Sequence, residues 1–259
     1  MKRAPVVAVS ERRGLLQLHI GGEAIQSAMR LEDPYALALD YTRCMMAFLL
    51  FHPQPREALM IGLGGGSLAK FFHRRLRATR VRVIELDARV VAAARAHFAL
   101  PPDDARLVVE VGDGAQALAP ECCDVLLVDG FDDGEQVPRL ASSEFYDACY
   151  LALAPHGVLA VNYMSDDPRL DSYLQRLERA FGGAVLCMPA LSDPNLIAFA
   201  LKDAPARLPW KTLRARAAAL EARYALPFRR YVGALQRMNP HAGGDLIIVP
   251  QSNGEARCS

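Results

Sequence analysis

Ala58-Leu59-Met60-Ile61-Gly62-Leu63-Gly64-Gly65-Gly66-Ser67, followed 23 residues after Gly62 by Glu85 in Val81-Arg82-Val83-Ile84-Glu85-Leu86-Asp87, decides the fold of this chain. An apolar strand runs into a turn of glycines, a helix starts at Ser67, and a second strand ends on a carboxylate. That order holds a nucleotide-like ligand at the edge of a parallel sheet. Gly62, Gly64, Gly65 and Gly66 lack Cβ atoms, so they permit positive φ and let a ligand lie against the backbone. Glu85 then stands where it accepts hydrogen bonds from two ribose hydroxyls.

Working outward, strands and helices alternate. The pattern predicts strands at about 58–62, 81–86, 106–111, 124–128 and 157–162, separated by helices near 67–76 and 88–98, a short one after Gly114, and one at 142–153. A helix at about 169–180 leads to strands near 184–188 and 196–201, an antiparallel edge pair that closes the sheet. The expected class is therefore α/β: a Rossmann-like, mostly parallel sheet. Upstream, residues 5–30 alternate as a small antiparallel meander, with Leu16, Leu18 and Ile20 on one face and Gly21-Gly22 turning into 23–28. Pro34 starts a helix over 35–51. Downstream, 205–209 interrupts the pattern, basic helices follow at about 210–224 and 228–238, and 239–259 reads as a loose tail. Three units result: 1–52, the β-meander with its linking helix; 53–203, the ligand-binding domain; and 204–259, the basic helical extension and tail.

A chain of 259 residues buries a substantial core, and its 52% hydrophobic content is ordinary for a globular protein. A formal net charge of +1 names no nucleic acid or membrane partner. The longest apolar run, 44–51, is too short for a bilayer, and no signal-peptide pattern follows Met1, so a cytoplasmic location is expected. The six cysteines and six histidines have no metal-ligand spacing, so no metal site is expected.

The right-handed crossovers of such a sheet put every parallel strand's C-terminal end on one rim. That rim collects the glycines, Glu85, Asp113 and Asp129 from four strand ends. Asp113, in Gly112-Asp113-Gly114, can accept from an exocyclic adenine amine; alone, an Asx turn or helix cap explains it equally well. Paired with Glu85, it describes an adenosine pocket that includes Gly114. Next come Val128-Asp129-Gly130-Phe131-Asp132-Asp133-Gly134-Glu135, four carboxylates in seven residues. Asp133 and Glu135 read as a solvated loop, whereas Asp129 sits at the strand end across from the glycine turn and is the candidate base.

From about residue 22 to residue 202 the chain resembles the spermidine synthase (polyamine aminopropyltransferase) family. The resemblance rests on the glycine loop 61–66, Glu85-Leu86-Asp87, Gly112-Asp113-Gly114, Val128-Asp129 with Asp132, Glu144-Phe145-Tyr146, and Leu153-Ala154-Pro155-His156-Gly157-Val158-Leu159. Ala24-Ile25-Gln26, with Tyr35 nine residues later, matches that family's substrate-gating segment. The resemblance implies a methyltransferase-like Rossmann domain that binds decarboxylated S-adenosylmethionine and passes its aminopropyl group to a diamine. By matching position, Glu85 holds the ribose and Asp113 the adenine, Asp129 deprotonates the attacking amine, and Asp132, Gln26 and Tyr35 line the amine channel. It also implies a homodimer with a small-molecule amine as substrate; the residues themselves call for no metal and no nucleic acid or membrane partner.

Three departures stand out. Gly65 replaces the aspartate expected to hold the co-substrate's amine and repel a methionine carboxylate. Tyr35-Ala36-Leu37 replaces a Tyr-His-Glu or Tyr-Gln-Glu run, and Leu191-Ser192-Asp193-Pro194-Asn195 lacks the family's tyrosine. Each lost charge-assisted contact is worth about 1.5–3 kcal/mol. Three readings follow: an aminopropyltransferase with an altered amine site; a methyltransferase using S-adenosylmethionine itself; or an adenosine-ligand protein without turnover that docks through its basic C-terminal helices. Residues 202–237 hold nine Lys or Arg against Asp203 and Glu221, but no aromatic platform for stacking bases is interleaved with those charges. Solvated faces with Leu213, Leu220 and Phe228 turned inward explain those helices better, and the run Arg74 to Arg82 is likewise expected to face solvent.

Overall fold

The structure, a computed structural model, describes residues 6–132 and 135–249; the side chains of residues 131, 132, 135 and 136 lie outside that description. In chain order, β1 (Val7–Arg12), β2 (Leu15–Ile20) and β3 (Ile25–Arg30) come first, then α1 (Asp40–Met45), β4 (Glu57–Ile61) and α2 (Ser67–Arg75). There follow β5 (Arg80–Glu85), α3 (Ala88–His97), β6 (Leu107–Val111), β7 (Cys123–Val128), and the short pair β8 (Phe131–Asp132) and β9 (Glu135–Gln136). The chain continues through α4 (Ser143–Ala152), β10 (Leu153–Met164), α5 (Leu170–Ala180), β11 (Val185–Pro189) and β12 (Asn195–Leu201). Last are β13 (Arg207–Pro209), α6 (Trp210–Tyr224), α7 (Phe228–Met238), β14 (His241–Ala242) and β15 (Asp245–Ile247).

The main sheet has seven strands in the order β11-β12-β10-β7-β4-β5-β6. From β10 to β6 all neighbours are parallel, and β12 runs antiparallel to both β10 and β11. The strand order reverses between β4 and β7, which places a crevice at their C-terminal ends, the position at which open α/β sheets bind ligands. Central strands are apolar on both faces because both are covered. Met60, Val83, Leu127 and Ala160 pack into one core with α1, α2, α6 and α7, while Leu59, Ile61, Leu126 and Leu159 pack into the other with α4 and α5. The N-terminal sheet β1-β2-β3 sets Leu18 and Met29 against Val90 and Phe98 of the α3 region.

Caps set the helix starts. Asp87 accepts from the Arg89 amide at 2.8 Å before α3, and Ser142 accepts from Phe145 at 3.1 Å before α4. Arg80 and Arg82 do face solvent, and each finds a carboxylate on a neighbouring strand, Glu57 and Glu110 respectively.

Three expectations are corrected. The linking helix does not begin near Pro34: residues 34–39 are turns and irregular chain, α1 starts at Asp40, and Met46–Leu50 tightens into a 3-10 turn. Its apolar residues are buried between layers, where packing rather than helical periodicity decides their path. No helix follows Gly114; Asp113 there caps a single turn, accepting from Ala115 N at 2.9 Å. The tail is ordered through residue 249, since β15 pairs with both β13 and β14 and buries Leu246 beside Ile248. Residues 1–5 and 250–259, with Cys258, lie outside the described residues. Leu213, Leu220 and Phe228 are buried in the same core as the central strands. Among the described residues no helix is long and apolar enough to cross a membrane, and no group of three or more His, Cys, Asp or Glu is placed to hold a metal.

Candidate functional site

A cavity of about 540 Å³ opens at the reversal point, lined among others by Gln26, Gly62, Gly64, Glu85, Asp113, Gly114 and Asp129. Residues from five segments therefore meet in one space. Gly62 is required there sterically: at φ +95, its Cβ would lie 2.2 Å from the carbonyl oxygen of Asp129. Gly62 N donates to Ile84 O and Asp129 N donates to Ile61 O, each at 2.9 Å, so three strand ends are locked together around the turn.

Glu85 ends β5 and accepts from Leu63 N at 2.8 Å through Oε2 and from Asp87 N at 3.0 Å through Oε1. Each oxygen keeps a lone pair for a ligand. Burial raises its pKa, and the two amide bonds oppose that rise. Asp113 lines the far side; one oxygen caps Ala115 N and the other meets Arg139 at 2.9 Å. The Asx turn and the pocket position thus coexist in one residue.

Asp129 ends β7 with both carboxylate oxygens engaged. Oδ1 accepts from Asn162 Nδ2 at 2.9 Å, and Oδ2 accepts from the Tyr41 hydroxyl at 3.1 Å. Burial raises its pKa, the two donors pull it down, and the charge of Glu85 pushes it up again. Behind Asn162, Asn195 Nδ2 donates to Asn162 Oδ1 at 3.0 Å. Behind Tyr41, its backbone N–H donates to Asp193 at 2.9 Å, and Ser192 N donates to Asp40 at 2.8 Å. The carboxylate is oriented from two sides by side chains that are themselves held.

Other expected residues fall elsewhere. Gly65 and Gly66 turn from the cavity toward Phe98 and Leu100, whose side chains lie 2.7 Å and 2.8 Å from where their Cβ atoms would be. Tyr35 does not line the cavity; its ring stacks under Arg74 at 4.8 Å. Asp132 pairs by its backbone with Glu135, beyond the cavity residue Gly130, and its side chain lies outside the described residues, as does Asp133.

Sequence reasoning missed Tyr41, Asn162 and Asn195. Asn162 carried a signal: an amide within the apolar strand run 158–163, next to the presumed switch point, is buried and must find partners. Tyr41 was hidden by a helix start placed six residues early.

The sequence matches the spermine/spermidine synthase domain over residues 39–188. It is 38% identical over 246 residues to a polyamine aminopropyltransferase of Chromobacterium violaceum, covering 94% of each chain. The fold is similar to a probable spermidine synthase from Corynebacterium glutamicum, with TM-score 0.69 and 22% identity, covering 93% of this chain and 94% of that one. It is also similar to human methyltransferase-like protein 13, solved in complex with SAH, with TM-score 0.64 and 24% identity, covering 80% and 96%.

Proposed function

The chain belongs to the spermine/spermidine synthase family, and we propose that it transfers an aminopropyl group from decarboxylated S-adenosylmethionine to a polyamine or another amine. The observation that carries this reading is Asp129, held by Tyr41 and Asn162 at the sheet reversal and facing the same cavity as Glu85. Glu85 takes the ribose hydroxyls and Asp113 the adenine amine, with Arg139 yielding the oxygen it now pairs.

A protonated amine has no free lone pair and cannot attack. In the transfer, the neutral acceptor nitrogen bonds to the propyl carbon beside the sulfonium as that carbon–sulfur bond breaks. The electron pair stays on sulfur, which leaves as the thioether of methylthioadenosine, and the excess proton passes to Asp129. A carboxylate whose pKa is raised by burial is the stronger base, which suits that step. Gln26 and Asp132 belong to the acceptor's path, and Tyr35 stays outside it. Support for a homodimer comes from the resemblance, and the cytoplasmic location rests on the reading of the sequence alone.

A second reading, methyl transfer from S-adenosylmethionine, is favoured by the sequence departure at Gly65, which leaves the glycine turn without the family's aspartate. Incubating the protein with each co-substrate and putrescine or spermidine decides between them. The proposal expects methylthioadenosine and a lengthened polyamine, whereas S-adenosylhomocysteine with a methylated product overturns it.

A further inference from the structure

We infer that the turn from β11 into β12 is the positioning element for Asp129, with Asp193 and Asn195 each holding one of the two donors on that carboxylate. The functional weight of this inference rests on the reading of Asp129 as the group that takes the proton.

The donors belong to different elements, Tyr41 to α1 and Asn162 to β10, yet both lead back to one turn. On the α1 side, Tyr41 N donates to Asp193 at 2.9 Å and Ser192 N donates to Asp40 at 2.8 Å, so each segment gives a carboxylate to an amide of the other. Asp40 is 5% exposed and has Arg43 at 3.2 Å as its counter-charge. This reciprocal pair fixes the start of α1 and thereby decides a competition at the tip of the ring. The Tyr41 hydroxyl lies 3.1 Å from Asp129 Oδ2 and 3.4 Å from Gln26 O, and its single proton serves one of them at a time.

On the β10 side, two asparagines form a chain with one direction. A carboxylate only accepts, so Asn162 must present Nδ2 to Asp129, and its Oδ1 then needs a donor from behind. Asn195 Nδ2 is that donor, at 3.0 Å. It stands two positions from Ile197, the cross-strand partner of Asn162, so the two side chains are diagonal neighbours on one face. Both asparagines are buried, and a buried amide oxygen that loses its donor is costly. Turning the Asn162 amide to recover a donor takes Nδ2 away from Asp129.

The turn is itself fixed. Ala190 N closes it onto Asn195 O at 2.8 Å, Ser165 N donates to Pro194 O at 3.1 Å, and the proline ring sets its own φ. This is the stretch 191–195 that lacks the family's tyrosine, and Asp193 and Asn195 act from it through Tyr41 and Asn162. Of the charges around Asp129, Glu85 faces it and raises its pKa, Asp113 pairs with Arg139, Asp87 with Arg89, and Asp40 with Arg43. Replacing the neutral Asn195 alters none of them.

The test follows Asp129 in two ways: the acid limb of kcat for methylthioadenosine release, and the NMR titration of its side-chain carboxyl carbon, identified by its disappearance in Asp129→Asn. In Asn195→Ala both should move up by at least about half a unit, a part of the roughly one to two units expected when the Asn162 donor is lost outright. In an Asn162→Ala background the same substitution should move neither, because its route is gone. Asp193→Ala removes a negative charge, which alone lowers the Asp129 pKa; release of Tyr41 raises it, so an upward shift is expected, and none when Tyr41 is already Phe. The two variants act on different donors, so either one tests the inference if the other does not fold. Titrations that stay in place, shifts that persist without Asn162 or Tyr41, or a rate lowered equally at every pH overturn it. A carboxyl titration that moves as expected while the acid limb stays put overturns the reading of Asp129 as the base and leaves the positioning standing.

Discussion

Replacing Asn162 by alanine removes one of the two donors on Asp129 and leaves Tyr41 as the other. A hydrogen bond to a charged group contributes about 1.5–3 kcal/mol. At about 1.36 kcal/mol per pKa unit, losing it raises the Asp129 pKa by roughly one to two units. That adds to the rise burial already imposes. The base works when deprotonated, so activity climbs with pH through this pKa, and the acid limb of kcat should move to higher pH by the same amount. The assay is methylthioadenosine release at saturating substrates from about pH 5 to 10, wild type against Asn162→Ala, because kcat reports the ionisation of the bound complex. Below the limb the variant should be about 10- to 100-fold slower; on the alkaline plateau it should return to within a few fold. The substitution also strips Asn195 Nδ2 of its Asn162 acceptor, a structural loss of about 1–3 kcal/mol that denaturant melts will register. A purely structural effect lowers the rate equally at every pH, and such a uniform loss would refute the reasoning.

Two further outcomes are expected. Gly62→Ala places a methyl 2.2 Å from the Asp129 carbonyl at a φ of +95, so strain and overlap together should lower stability by about 2–5 kcal/mol and abolish nucleoside binding, measured by urea unfolding and calorimetry; a stable variant that still binds would contradict it. Lys70, 1% exposed and donating to Phe98 O at 2.6 Å, has its pKa lowered by burial from 10.5 to about 8. The unfolded chain therefore holds this proton more tightly between pH 8 and 10.5, and wild-type stability should rise there by up to roughly 3 kcal/mol relative to Lys70→Met; parallel stability curves for the two proteins would sink the claim.

The fold was legible where local rules decide it. The apolar strands before Gly62, Glu85 and Asp129 and the helices α3 and α4 lie close to their expected positions because strand burial and helical periodicity are local in sequence. The convergence of Gly62, Glu85, Asp113 and Asp129 followed from topology alone, since parallel strands put their C-terminal ends on one rim. Partners of Asp129 were not legible, because they depend on β10 lying beside β7 and on the route of residues 34–45 over the crevice. Tyr35 matched a spacing, but the chain between Pro34 and Leu39 is not helical, and Tyr41 is the ring that reaches the carboxylate. The order of 241–249 was missed for a similar reason: β15, which also pairs with β14, is anchored by β13, a partner more than thirty residues away.

The most direct test of the account is Asp129→Asn, which keeps the shape at the end of β7 and removes the ability to take a proton. Methylthioadenosine should bind as it does to the wild type, while turnover with decarboxylated S-adenosylmethionine and an amine should fall by about 10²- to 10⁴-fold. Turnover within a few fold of wild type would show that some other group removes the proton and would contradict the account.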